Sequence, residues 1–81
     1  MNTEEYILKI VETIPELEKS DKDEIYEMLE HDEWGVAFEI ICSVLEQEHI
    51  IINKRTYLLI GQLGKQMDMP NSLWKNLSIK P

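Results

Sequence analysis

Ile7, Ile10, Val11 and Ile14 recur at the i, i+3, i+4, i+7 spacing of a single helical face. The same period returns three more times along the chain. Ile25, Met28 and Leu29 mark the inner side of a second segment, and Trp34, Ala37, Phe38, Ile41 and Leu45 that of a third. Tyr57, Ile60, Leu63, Gly64 and Met67 share one side of a fourth. Four helical stripes within 81 residues leave room for one core, because compact domains usually hold about 100 residues or more. Three glycines and three prolines are too few for a turn-rich β-sandwich. The expected fold is all-α: one domain over residues 1–81, a small bundle of four main helices plus a short C-terminal helical turn.

Local signals set the expected boundaries. Thr3 is placed to N-cap the first helix, with Glu4 and Glu5 in a first turn whose dipole favours them. Pro15 ends that helix, because proline disfavours the α conformation of the residue before it. Ser20 and Asp23 stand at capping-box spacing and open the second helix, with His31 at its end. Asp32 is expected to cap a third helix beginning at Glu33. Ile40 and Val44 widen the stripe of this helix, which predicts packing on two sides. The run Ile50–Ile52 favours a strand by propensity, but no second strand is evident to pair with it. An extended loop plugging the end of the core is expected instead.

Asn53 caps the fourth helix. Gly61 and Gly64 each weaken it by about 1 kcal/mol relative to alanine, which predicts close approach of a neighbouring helix. Gly35 is read the same way, as room for a neighbour or for the Trp34 ring. Pro70 ends the fourth helix, and Asn71 or Ser72 caps a last turn carrying Leu73, Trp74 and Leu77. The expected core is Trp34, Phe38, Ile41, Leu45, Tyr57, Ile60 and Leu63.

Charge is unevenly divided. Residues 1–48 hold fifteen acidic side chains against three basic ones, a net −12, whereas residues 49–81 carry +4. An acidic half of this kind repels nucleic acid and anionic membranes and attracts basic proteins. Helices three and four could be threaded as a helix–turn–helix. Lys54, Arg55 and Lys65 are nevertheless too few to track phosphates beside such an excess of carboxylates. No apolar run approaches a membrane span, and the acidic N-terminus does not resemble a signal peptide. The single cysteine, Cys42, has no partner for an internal disulfide, so a reduced, cytoplasmic setting is expected.

The sequence carries no glycine-rich phosphate loop, no CxxC pair and no HExxH. His31, Asp32 and Glu33 are consecutive and diverge on a helix, so no metal site is expected. Cys42 lies on an apolar helix with no evident base and is expected to be a packing residue. Carboxylate pairs such as Glu27 and Glu30 lie on a solvated face, whereas catalytic carboxylates need a pocket that shifts their pKa. The chain is expected not to be an enzyme and to need no cofactor or metal.

One segment is more specific. Asp32-Glu33-Trp34-Gly35-Val36-Ala37-Phe38-Glu39 resembles the core signature of the MafI family of bacterial immunity proteins, in which an acidic-aromatic-Gly stretch leads into an Ala-x-Glu helix. The surrounding order is also similar: a preceding helix, a hydrophobic helix ending near Gln47-Glu48, an isoleucine-rich link, the Asn53-capped helix, and a Met-Asp-Met-Pro exit before a Trp74-containing turn. The resemblance covers roughly residues 20–77. Asp32 departs from it, standing where a small or polar residue, often glycine, is expected.

The resemblance implies a protein encoded beside a secreted polymorphic toxin, such as those of contact-dependent inhibition systems. It would protect the cell by binding the toxin domain in the cytoplasm. Such toxins are often ribonucleases, among them enzymes of the EndoU type. The charge independently suits a partner of this kind, because a nuclease presents a cationic groove to phosphates and an acidic protein is steered into it. The candidate toxin-binding residues are Asp23, Glu24, Glu27, Glu30, Asp32, Glu33 and Glu39, expected to form one acidic ridge if helices two and three pack antiparallel. The alternative reading is a non-enzymatic helical adaptor or dimerisation module.

Overall fold

A computed structural model describes residues 2–81. Four α-helices follow in order: α1 (Thr3–Glu12), α2 (Lys19–Glu30), α3 (Trp34–Gln47) and α4 (Lys54–Gln66). A 3-10 turn, Asn71–Leu73, comes after them. The all-α expectation holds, and each helix buries most of the stripe that its period marks. Ile7, Ile10, Ile14, Ile25, Phe38, Ile41, Leu45, Ile60 and Leu63 are essentially inaccessible to solvent.

The helix starts differ in detail from the sequence expectations. Asn2, not Thr3, caps α1: its Oδ1 accepts from the Glu5 backbone N–H at 2.8 Å, and its Nδ2 donates to the Glu5 carboxylate at 2.8 Å. The cap therefore lies one residue nearer the N-terminus than expected, and the Glu5 carboxylate bonds the capping side chain itself. α2 begins at Lys19, and its N-cap, Glu18, makes no side-chain cap. Ser20 therefore lies inside the first turn, and Asp23 pairs with Lys19 at 2.9 Å instead of closing a box. Asn53 caps α4 as expected, accepting from the Thr56 N–H at 2.8 Å.

The stops of α2, α3 and α4 share one geometry. Asp32, His49 and Asp68 have φ of 56°, 52° and 58°, the left-handed region that usually takes glycine. At each stop this residue donates its N–H back to a carbonyl of the last turn. The next residue reaches further: Glu33 to Met28 O at 2.8 Å, Ile50 to Leu45 O at 3.0 Å and Met69 to Gly64 O at 2.8 Å. These are Schellman stops, which satisfy the orphan carbonyls of a helix end. Asp32 accordingly terminates α2 and does not cap α3, whose N-cap is Glu33.

Two expected core aromatics lie elsewhere. Trp34 is 41% exposed. It sits at the core-facing angle of α3 but in the first turn, and helical side chains lean towards the N-terminus, so its ring leaves the end of the bundle. Tyr57 is only half-buried against the core. Trp74 is the aromatic that enters. It is 5% exposed and meets Phe38 edge-to-face with ring centroids 5.9 Å apart.

Trp74 also explains two glycines. A Cβ on Gly64 would fall 2.5 Å from Trp74 Cη2, and one on Gly61 would lie 3.4 Å from Trp74 Nε1. The close approach at α4 is thus made by an indole ring and not by a helix. Gly35 has nothing within 4 Å of where its Cβ would be, so it makes room for no neighbour.

The isoleucine link does plug the core: Ile50 and Ile52 are buried while Ile51 faces solvent. It also has a partner that the sequence reading lacked. The Ile52 N–H donates to Ser78 O at 2.9 Å and Lys80 N–H donates to Ile52 O at 2.8 Å, a single parallel bridge with the segment around Ile79. Thr56 is a fully buried polar residue, and its hydroxyl donates to Thr13 Oγ1 at 2.7 Å; Thr13 donates in turn to Ile10 O. This chain ties α4 to the end of α1.

Candidate functional site

α2 and α3 are joined by only three residues, His31–Glu33, and pack closely against each other. Asp21, near the start of α2, lies beside Gln47 and Glu48 at the end of α3, so the pair runs antiparallel. The acidic excess of the first 48 residues is concentrated on this hairpin.

All seven carboxylates expected to form the ridge are exposed. Their positions divide them over two surfaces. Asp23, Glu27 and Glu30 follow at i, i+4 and i+7 on α2, on the side opposite the buried Ile25 and Leu29. Asp32 and Glu33 occupy the interhelical turn next to this outer face. Glu24 and Glu39 instead turn towards each other's helix and line one groove between α2 and α3.

That groove has a volume of about 480 Å³ and is open to solvent. Val36, Ile40 and Val44 from α3 form its apolar part, and Asp21, Glu24, Glu39 and Glu48 supply carboxylates along it. Sequence reasoning missed Asp21, Glu48 and the apolar floor as site residues. The signal was present in the broad stripe of α3. Ile40 and Val44 mark a second apolar side, which was expected to be packed but opens onto this groove.

Charge on the hairpin is almost uncompensated within the molecule. Among the described residues the one ion pair is Lys19–Asp23, between two exposed side chains. The Asp23 carboxylate raises the Lys19 pKa, chiefly through their hydrogen bond. Among the described residues the remaining carboxylates of α2 and α3 have no cationic partner, and all but the partly buried Asp21 are exposed. Among the described residues no three His, Cys, Asp or Glu side chains are grouped so as to hold a metal ion.

Cys42 lies on the buried side of α3, 1% exposed. Burial pushes its thiol up to about 12, and the negative charges of Glu39 and Glu46 add to the shift. A thiol held protonated in this way is a packing group and not a nucleophile. A smaller depression of about 330 Å³ borders α4, lined by Tyr57, Leu58, Gly61, Gln62, Lys65 and Trp74. Its titratable groups are Tyr57 and Lys65. No helix among the described residues is long and apolar enough to cross a membrane.

Comparisons with known proteins add no family. No family model, no curated protein and no solved structure matches this chain.

Proposed function

We propose that this protein is an immunity protein that binds and neutralises a cognate secreted toxin domain in the cytoplasm. The toxin domain is a basic nuclease, and a ribonuclease, the EndoU type being one example, fits that class. The observation that carries the reading is the exposed acidic surface of the α2–α3 hairpin, unpaired but for Lys19–Asp23. Carboxylates left without internal cations repel one another and are a liability for a lone fold; against a cationic surface they become complementary. The resemblance of Asp32–Glu39 to the MafI signature supports the same reading. Rapid association suits an inhibitor whose target acts catalytically, because each free toxin molecule turns over many substrates.

The test begins with the gene immediately upstream, which is expected to encode a large secreted protein with a variable C-terminal domain. Expression of that domain alone should arrest growth, and coexpression with this chain should restore it. In a purified system the chain should abolish cleavage of RNA by the domain at one equivalent while cleaving nothing itself. Continued RNA cleavage with the chain in excess, together with unrescued growth arrest, would refute the proposal.

A further inference from the structure

We infer that the groove between α2 and α3 is the docking site for a cationic amphipathic helix of the protein partner. This rests on the reading that the chain binds a basic protein, and it names the element of that protein the chain grips.

The groove combines two features, an apolar floor and an acidic rim, of which the outer face of α2 has only the second. Its floor is apolar: Val36, Ile40 and Val44 recur every four residues along α3, the row that forms a ridge on a helix surface. Val36 is 39% exposed, and Ile40 and Val44 are only partly covered. A row of this kind is completed by the i, i+3, i+4, i+7 anchors of a second helix. The rim is acidic, with Glu24 of α2 and Glu39 of α3 among its carboxylates and no lysine or arginine lining it. Apolar anchors flanked by lysines or arginines match both features at once, whereas an acidic or neutral helix would meet only repulsion or unpaired charge. The floor from Val36 to Val44 spans about 12 Å at 1.5 Å per residue, which fits two to three turns of a partner helix. A second copy of this chain is the poorer occupant, because its own hairpin would bring a like-charged surface to the rim.

The probe is a synthetic, terminally blocked peptide of about 14 residues with leucine at i, i+3, i+4 and i+7 and lysine elsewhere. A permuted peptide of identical composition, with its leucines spread around the helix, controls for charge alone. Binding is read by anisotropy, and the contact surface by amide chemical-shift changes. The amphipathic peptide should bind at least about tenfold more tightly than the permuted one. Its shifts should centre on Val36, Ile40, Ser43 and Val44. Val36→Ser, at a position exposed enough to leave the fold intact, should remove most of that difference. The double variant Glu24→Gln/Glu39→Gln should flatten the salt dependence, and Glu4→Gln/Glu12→Gln, exposed carboxylates on α1 that do not line the groove, should leave it nearly unchanged.

Equal binding of the two peptides, no binding, or shifts centred on Glu27 and Glu30 would overturn the groove assignment. So would concentration-dependent shifts of the groove amides in the peptide-free protein with a doubled sedimenting mass, which would show a second copy as the occupant. Because the peptide assay needs no toxin, the two readings fail separately. Lost peptide binding with intact cell protection removes the groove alone. Lost protection with intact peptide binding removes the toxin and leaves the groove.

Discussion

The six-membered ring of Trp74 occupies the space that a Cβ at position 64 would need, 2.5 Å from Cη2 and 3.0 Å from Cε3. Gly64 therefore exists for a ring from the C-terminal turn, which it lets settle onto α4 and reach Phe38.

Gly64→Ala sets a gain of about 1 kcal/mol in helix propensity against an overlap with a ring held at the core. Overpacking wins, and the variant should be less stable by about 1–3 kcal/mol in a denaturant melt. Gly35→Ala meets nothing and should be more stable by up to about 1 kcal/mol. A raised midpoint for Gly64→Ala would show that the ring does not rest where the structure places it.

Asp32, His49 and Asp68 each hold a left-handed backbone with a side chain attached. All three are exposed and none of their side chains hydrogen-bonds another protein group. Replacing each in turn by glycine should relieve the Cβ strain and stabilise the protein by about 0.5–1 kcal/mol. Replacement by valine should destabilise it, because a β-branched residue resists this region most. Thermal midpoints measured for the glycine and valine pair at each site check the sign.

Cys42 links folding to pH at the alkaline end. Its thiol stays protonated in the folded chain up to about 12, whereas the ordinary value is 9.0. Between those values the unfolded chain loses its proton first, so unfolding is favoured as pH rises. The contribution of Cys42 is complete below pH 9.0 and is lost as pH climbs from there towards about 12. The stability of wild type should fall relative to that of Cys42→Ala by up to about 1.4 kcal/mol per pH unit across this range. Parallel curves for the two proteins would show that the thiol is not buried. Iodoacetamide at neutral pH should label Cys42 only at the rate at which the fold opens.

Under the proposed function, the outer face of α2 steers the approach of the partner and the groove holds it. Glu27, Glu30 and Glu33 reversed to lysine should slow association with the basic toxin domain and weaken the salt dependence of its rate. The melting temperature should change little, since these carboxylates are exposed and unpaired in the folded chain. Stopped-flow rates at two ionic strengths measure this. An unchanged on-rate in cells that stay protected would move steering away from this face.

The number, order and inward faces of the helices were legible in the sequence. Ile7, Ile10 and Val11, or Phe38, Ile41 and Leu45, recur at a period that only a helix can place on one side, and that period is a local property of the chain. The Asn53 cap and the buried position of Cys42 were legible because they too depend on local sequence. Tertiary structure decided what covers each face. Trp34 and Trp74 are the same residue type, and period alone favoured Trp34 for the core. One lies at a helix end where the bundle stops, and the other is carried back over α4 by a turn. The glycines of α4 announced a close approach without naming the visitor, because an indole 10 residues further along leaves no periodic trace. The broad stripe of α3 likewise recorded a second apolar side but not its coverage. Whether such a side meets a helix or solvent depends on where distant elements come to rest, and here α2 lies along one side of α3 and leaves Val36, Ile40 and Val44 incompletely covered, as the floor of a groove.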